Sequence, residues 1–192
     1  DVTVVDESAG WFGATLVGPD LIKKAQAIGD GIFFPGRRGL GGQMEWMTRT
    51  PPAIVDATEL TAGDMERARI RAAIPAIPAD IGSTELPNEG GLEVEAVSYT
   101  KGCYLGQEVM ARLKSMGQVR RRLLRVAGPE LPPARPARLY QGSRQVGELR
   151  SLATEGDGFI GLALLTLLHL QRDTPLSLAP DALPSVTLVA AP

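Results

Sequence analysis

The hydrophobic pattern along the chain changes rhythm twice. Val2–Val5 is a short β-branched run that predicts a strand, and Ala14–Val17 predicts a second. Gly18-Pro19-Asp20 then opens a predicted helix running to Ile28. Proline in a first turn loses no hydrogen bond, and Leu21, Ile22, Ala25 and Ile28 recur at helical spacing, with Gly29 placed to end the helix. Ile32–Phe34 and Met44–Thr48 read as strands around the loop Pro35–Gly42. Strand, helix and strands in this order predict an α+β layer rather than a parallel nucleotide-binding sheet. Thr61-Ala-Gly-Asp64 resembles a capping box, and the helix it opens is expected to reach about Ala73, where Pro75 and Pro78 stop it. Residues 79–100 read as irregular, with a short helix near Gly91–Val97. From Val119 onward, short alternating runs predict strands at Arg121–Val126, Arg138–Tyr140, Gln145–Ala153, Phe159–Leu165, Leu176–Leu178 and Val186–Val189. Their spacing suits a small antiparallel barrel or sandwich. The expected organisation is an α+β domain over residues 1–115 and a C-terminal antiparallel β-barrel over 116–192, with the boundary near Met116-Gly117.

Composition narrows the function classes. The 192 residues carry 20 Lys+Arg against 22 Asp+Glu, a net charge of −2, and 44% are apolar. That is globular composition, and it excludes a chain coated in basic residues for DNA. The longest apolar run, Phe159–Leu168, is too short to span a bilayer, and no signal layout opens the sequence. A cytoplasmic protein with no membrane partner is expected. There is one cysteine, Cys103, and one histidine, His169. An intrachain disulfide and a Cys/His zinc site are both excluded by ligand count, and no residue is assigned as a metal ligand. The excess of 16 Arg over four Lys reads as coding bias. Since the chain starts at Asp1 inside a strand-like run, the numbering is expected to begin within a longer protein.

Several features invite chemistry. Gly36–Gly42 lacks the Gly-Lys-Ser/Thr ending of a phosphate loop and reads better as a turn between strands. His169 lies in an apolar run and is expected to be structural, as are Trp11 and Trp46. The informative stretch is Tyr99–Arg112. Lys101-Gly102 reads as a turn feeding a helix that starts between Cys103 and Gly106. A thiol near a helix N-terminus and two residues from a lysine sits in a field favouring thiolate. Gly102 leaves the backbone open to close approach. Gln107, Glu108 and Arg112 add polar groups, with Glu108 and Arg112 one helical turn apart. The same residue types serve either a reactive thiol or a half-buried cysteine that packs. Between Val109 and Pro129 lie Arg112, Lys114, Arg120, Arg121, Arg122 and Arg125 with no acidic residue. This run reads as an anion or nucleic-acid patch, or as the solvent face of the first barrel strand for Arg120, Arg122 and Arg125.

The segment Lys101-Gly-Cys-Tyr-Leu-Gly-Gln-Glu108 closely resembles the signature of the YgfZ-type folate-binding proteins, relatives of the glycine-cleavage aminomethyltransferase, or T-protein. Leu86-Pro-Asn-Glu89 upstream, Gly117–Leu123 downstream and the entry Val5-Asp6 to Gly18-Pro19 agree with it, so the resemblance extends over essentially the whole chain. It implies a folate-pocket fold followed by a β-barrel, with a reduced folate (tetrahydrofolate) as the ligand of the full-length protein. It also implies a role in iron–sulfur cluster maturation or repair, with iron–sulfur client enzymes or assembly proteins as partners, including enzymes that modify tRNA. Cys103 is the residue most closely tied to that role, and Lys101, Tyr104, Leu105 and Gly106 match a frame shared with the T-protein, in which the cysteine is dispensable. Gly102, Gln107, Glu108 and Arg112 complete the candidate binding set. The T-protein's folate-contacting glutamate falls on Arg71, and its catalytic aspartate belongs to an N-terminal part outside this chain. Both departures weigh against the alternative of an aminomethyltransferase making a one-carbon transfer to tetrahydrofolate, which is the enzymatic class implied if the protein is an enzyme. The other alternative is an RNA-binding module using Arg112–Arg125; nine aromatic residues in all give it few stacking platforms.

Overall fold

The computed structural model describes residues 2–54 and 56–190, without the side chain of Met116. The chain divides into two compact units, Asp1–Met65 and Glu66–Pro192.

In the first unit β1 (Phe12–Val17), β2 (Ile32–Pro35) and β3 (Gln43–Thr48) form an antiparallel sheet in the order β1-β3-β2. α1 (Pro19–Ile28) lies against one face, where Leu16, Ala25 and Trp46 are buried with Ile22 and Phe33 packed around them. The helix starts on proline and ends on Gly29 at φ 74°, as its sequence predicts. Trp46 is a packing residue whose indole N–H donates to the Asp30 carbonyl at 2.7 Å. Trp11 takes the Arg49 guanidinium 4.1 Å above its ring instead of packing in the core. The Gly36–Gly42 loop joins β2 to β3, and the Gln43 side chain accepts from the Leu40 amide. The strand expected at Val2–Val5 does not form. These residues are exposed and pair with no neighbouring strand among the described residues, and a β-branched run without a ladder partner has nothing to satisfy its backbone.

α2 (Ala62–Arg71) carries the chain across the division. Its start is a reciprocal cap: the Asp64 amide donates to the Thr61 hydroxyl and the Thr61 amide to the Asp64 carboxylate, both at 3.1 Å. It ends two residues short of the expected Ala73, which adopts a left-handed φ of 55°. The helix expected at Gly91–Val97 is absent. A single 3₁₀ turn at Pro87–Gly90 takes its place and stops at Gly91, whose φ is 74°. α3 spans Gln107–Met116.

The remainder is one antiparallel sheet. β4 (Arg121–Gly128), β5 (Ala137–Gln141), β6 (Arg144–Glu155), β7 (Gly158–Thr166) and β8 (Thr187–Leu188) lie in the order β5-β6-β7-β4-β8. The expected strand at Leu176–Leu178 is reduced to two bridges, Tyr140 to Ser177 and Leu176 to Val186, and these join the two edges of the curled sheet. Its inner face buries Val126, Leu139, Leu149, Phe159, Ala163, Leu165 and Leu176. Its outer face is covered too: Leu123, Ala153, Leu162 and Leu164 pack against Ile70 of α2 and against Ile81. A double-sided sheet explains why β7 reads as a near-continuous apolar run, since both faces of the strand lose water. A bulge at Arg150 of β6 shifts the register between Leu149 and Ser151, so Ser151 moves to the outer face and Arg150 is re-aimed. Gly161 pairs with Leu152 just beyond the bulge, and a Cβ there would meet the Ser151 carbonyl at 2.6 Å. Residue 116 lies within the second unit, where α3 gives way to the strands of the sheet.

Candidate functional site

The motif forms a loop leading into α3, and the helix begins later than its sequence suggests. Gly106 is the N-cap, at φ 86°, a left-handed conformation that suits glycine. Cys103 therefore stands three residues ahead of the cap, in irregular backbone, and its side chain is exposed. The pull of a helix terminus on charge is confined to its first turn, and Cys103 lies outside that turn.

Two cation–π contacts shape the loop. The Lys101 ammonium lies 4.8 Å above the Tyr104 ring, and the Lys114 ammonium lies 4.3 Å above the Tyr99 ring, tying the loop's start to the last turn of α3. The Lys101 amide donates to the Ser98 hydroxyl at 3.1 Å. Lys101 is thus spent on Tyr104. Gly102 has no close neighbour, and a Cβ there would meet nothing within 4 Å. Gln107 is half-buried, while Glu108 and Arg112 are exposed and form no ion pair with each other among the described residues. Leu105 is fully exposed and Val109 half-exposed. The loop and the open side of α3 thus present an accessible thiol beside apolar side chains. Among the described residues no three His, Cys, Asp or Glu side chains gather to hold a metal ion.

A pterin needs several convergent donors and acceptors in an enclosing cleft. The motif segment offers the Tyr104 hydroxyl, which is buried without a hydrogen-bond partner, and a cavity of about 360 Å³ lined by Val109, Arg112, Leu113 and Gly117. That is one wall at most, and these residues do not fit an enclosed folate.

The basic run is not the free patch its composition suggests. Arg121 grips Glu89 with a fork of two hydrogen bonds, at 2.8 and 3.0 Å, and this hydrogen bonding holds its guanidinium above its ordinary value despite partial burial. Arg122 donates to Glu93 at 2.8 Å and to the Asn88 carbonyl at 3.0 Å, and Arg125 donates to the Arg71 carbonyl. They face the upstream segment, not solvent. The reading of Arg122 and Arg125 as solvent-face residues is corrected accordingly. Three further pairs complete the clasp. Arg69 meets the fully buried Asp80 at 2.6 Å, with Glu66 and Ser151 as additional partners; burial opposes its charge, and the two carboxylates raise it nonetheless. Arg150, aimed by the bulge, reaches Glu85 at 3.0 Å and the Asp80 carbonyl at 3.1 Å. Arg71 pairs with Glu155 at 2.6 Å. Sequence reading missed this clasp, although the signal was present: Asp80, Glu85, Glu89 and Glu93 form an acidic series upstream of the basic run. His169 leaves the apolar run for an exposed turn at φ 68°, a change from its expected place.

The comparisons with known proteins follow this geometry. Residues 120–190 match the CAF17 C-terminal beta-barrel domain. The mitochondrial iron–sulfur cluster assembly factor IBA57 of Mus musculus is 34% identical over 138 residues, 64% of this chain and 37% of that protein. The tRNA-modifying protein YgfZ of Edwardsiella ictaluri is 32% identical over 145 residues, 72% of this chain and 42% of that protein. The chain therefore spans about two-fifths of these relatives. In structure it resembles the glycine cleavage system aminomethyltransferase T of Bartonella henselae, with a TM-score of 0.62, 13% identity, and coverage of 81% of this chain and 47% of that one. At that identity the likeness concerns the fold alone. Among the described residues no helix is long and apolar enough to cross a membrane. The chain is thus a homologue of the YgfZ and IBA57 proteins, with residues 120–190 matching the C-terminal β-barrel domain of the CAF17 family and a fold similar to that of the aminomethyltransferase.

Proposed function

We propose that the protein is a cytoplasmic accessory factor of the YgfZ type that supports iron–sulfur cluster assembly or repair, and through it iron–sulfur enzymes that modify tRNA. The observation that carries this reading is the exposure of Cys103 on a loop held by Lys101–Tyr104 and Lys114–Tyr99, beside uncovered Leu105 and Val109. A packing cysteine would be buried. An exposed thiol flanked by apolar side chains suits contact with a client or assembly protein. One thiolate is one ligand, so a cluster held there would take its other ligands from a partner, a second copy or a small thiol. Gly106 sets the loop's exit, and Gln107, Glu108 and Arg112 form the polar rim of the contact. As domains we propose an aminomethyltransferase-like part to residue 115 and the barrel from 116.

Reduced folate is proposed as the ligand of the longer protein, bound where residues beyond this chain complete the cleft; this chain alone binds it weakly or not at all. Two observations set the alternatives lower. The resemblance places Arg71 where the T-protein has its folate-contacting glutamate, and Arg71 is paired to Glu155, so an acceptor needed for one-carbon transfer is missing from that position. Arg121, Arg122 and Arg125 are engaged within the chain, which leaves an RNA surface short of charge.

The test compares Cys103→Ala with Cys103→Ser in the full protein, reading melting temperature and client iron–sulfur enzyme activity in cells on the same variants. Both should fold normally and both should lose client activity, with Lys101→Ala showing a milder loss. Normal client activity with folded Cys103→Ala would remove the thiol from the mechanism.

A further inference from the structure

The mouth of the C-terminal barrel holds a cavity that shares only Arg122 with the clasp and nothing with the motif. It measures about 1140 Å³, at or above the upper end of ligand pockets, and barrel mouths are favoured ligand sites. Its position follows from the strand period. Alternate residues of β4 share a face, and Val126 and Leu124 pack in the barrel interior. The same face continues outward through Arg122 to Arg120, whose carbonyl accepts from the Leu167 amide at 2.8 Å, extending the β4–β7 pairing by one rung at the rim. Leu124, Leu167 and Leu168 supply the apolar lining, and Leu168 is 67% exposed.

The charged lining is one-sided. Arg122 is already paired with Glu93. Arg120 and Arg172, which line the cavity from the β4 side and from the segment after β7, have no carboxylate partner among the described residues. His169 lines it as well, held at φ 68° in the turn between Leu167 and Leu170. A non-glycine residue in that conformation is strained, and such strain marks positions that the fold holds for a reason.

We propose that this mouth binds a small organic phosphate, with the phosphomonoester between the Arg120 and Arg172 guanidinia, an N–H of His169 as a third donor, and the apolar body of the ligand on Leu124, Leu167 and Leu168. A phosphomonoester carries close to two charges and three acceptor oxygens, which matches two forked cations and one further donor. The site is separate from the Cys103 loop and does not depend on the role proposed for it.

The test is a fluorescence titration of the 192-residue chain with 1-naphthyl phosphate, alongside 1-naphthol and inorganic phosphate, with melting temperatures recorded for every variant. Saturable 1:1 binding of 1-naphthyl phosphate is expected, at least tenfold tighter than either fragment. Arg120→Gln and Arg172→Gln should each weaken it about tenfold with no shift in melting temperature. Arg38→Gln, on the β2–β3 loop, should leave it unchanged. Three results would overturn the proposal: no saturable binding, naphthol binding as tightly as its phosphate, or equal weakening by Arg38→Gln.

Discussion

Two parts of the second unit are built on opposite principles. The barrel sheet is covered on both faces, with leucines inside and outside, and a row of arginines clamps the upstream segment to it. The loop and helix from Tyr99 to Gly117 are held by two cation–π contacts and a few hydrogen bonds, and expose Cys103, Leu105 and Val109. Removing buried apolar area or half of a buried ion pair is costly, whereas changing an exposed loop is cheap. The barrel region can therefore carry stability while the loop is left to vary its contacts with other molecules.

The sharpest way to break this contrast is at Asp80. Asp80→Ala leaves the Arg69 guanidinium without its fully buried partner, and the expected loss is about 3–5 kcal/mol, measured by chemical denaturation. Leu162→Ala empties a fully buried site on the outer face of β7 and should cost about 2–5 kcal/mol. If either variant unfolds no more easily than the parent, the clasp and the second face contribute little and the contrast fails.

Acid sharpens it further. Burial alone would raise Glu85, but hydrogen bonds from Arg150 and the Gly82 amide, with the Arg150 charge, hold it below its ordinary 4.5. A depressed folded value means that the pairing stabilises above about pH 4.5 and is lost as pH falls below that. The parent should lose stability through this range, and Glu85→Gln should lose less. An identical acid profile for the two would show that the pair is not linked to folding.

Effects in the loop should be small. Lys114→Ala removes the contact over Tyr99 and should cost at most about 1 kcal/mol, while hydrogen exchange of residues 99–106 quickens. Cys103→Ala should stay within about 0.5 kcal/mol of the parent. A melting-temperature loss for Cys103→Ala as large as that of Leu162→Ala would place the thiol in the core and end the comparison.

The extent to which the molecule was legible from its residues depends on the range of the signal. Pro19 and Gly29 bound α1 where expected, and Thr61 with Asp64 caps α2, because caps and turns act within three or four residues. The strands of the barrel were placed to within a few residues, and the Lys101–Glu108 motif was recognisable as it stood. Local rhythm misled where the deciding contact was distant. Val2–Val5 has strand propensity but no partner strand among the described residues, and the Gly91–Val97 segment answers to Arg122, which reaches Glu93 across 29 residues. His169 sits at the end of an apolar run and yet turns outward.

Taken alone, the sequence determined most of the element types, the α+β class and the antiparallel C-terminal sheet, and it singled out the one thiol. Only the tertiary structure decided that the basic run is a clasp, that a bulge aims Arg150 and moves Ser151 to the outer face, that the sheet edges meet through Ser177 and Val186, and that Cys103 stands clear of the helix it precedes. The physical reason is that propensity and capping are settled between neighbours in the chain. The choice of an ion-pair partner or a sheet face is settled between groups 29 to 84 residues apart, whose meeting depends on which apolar surfaces are buried together.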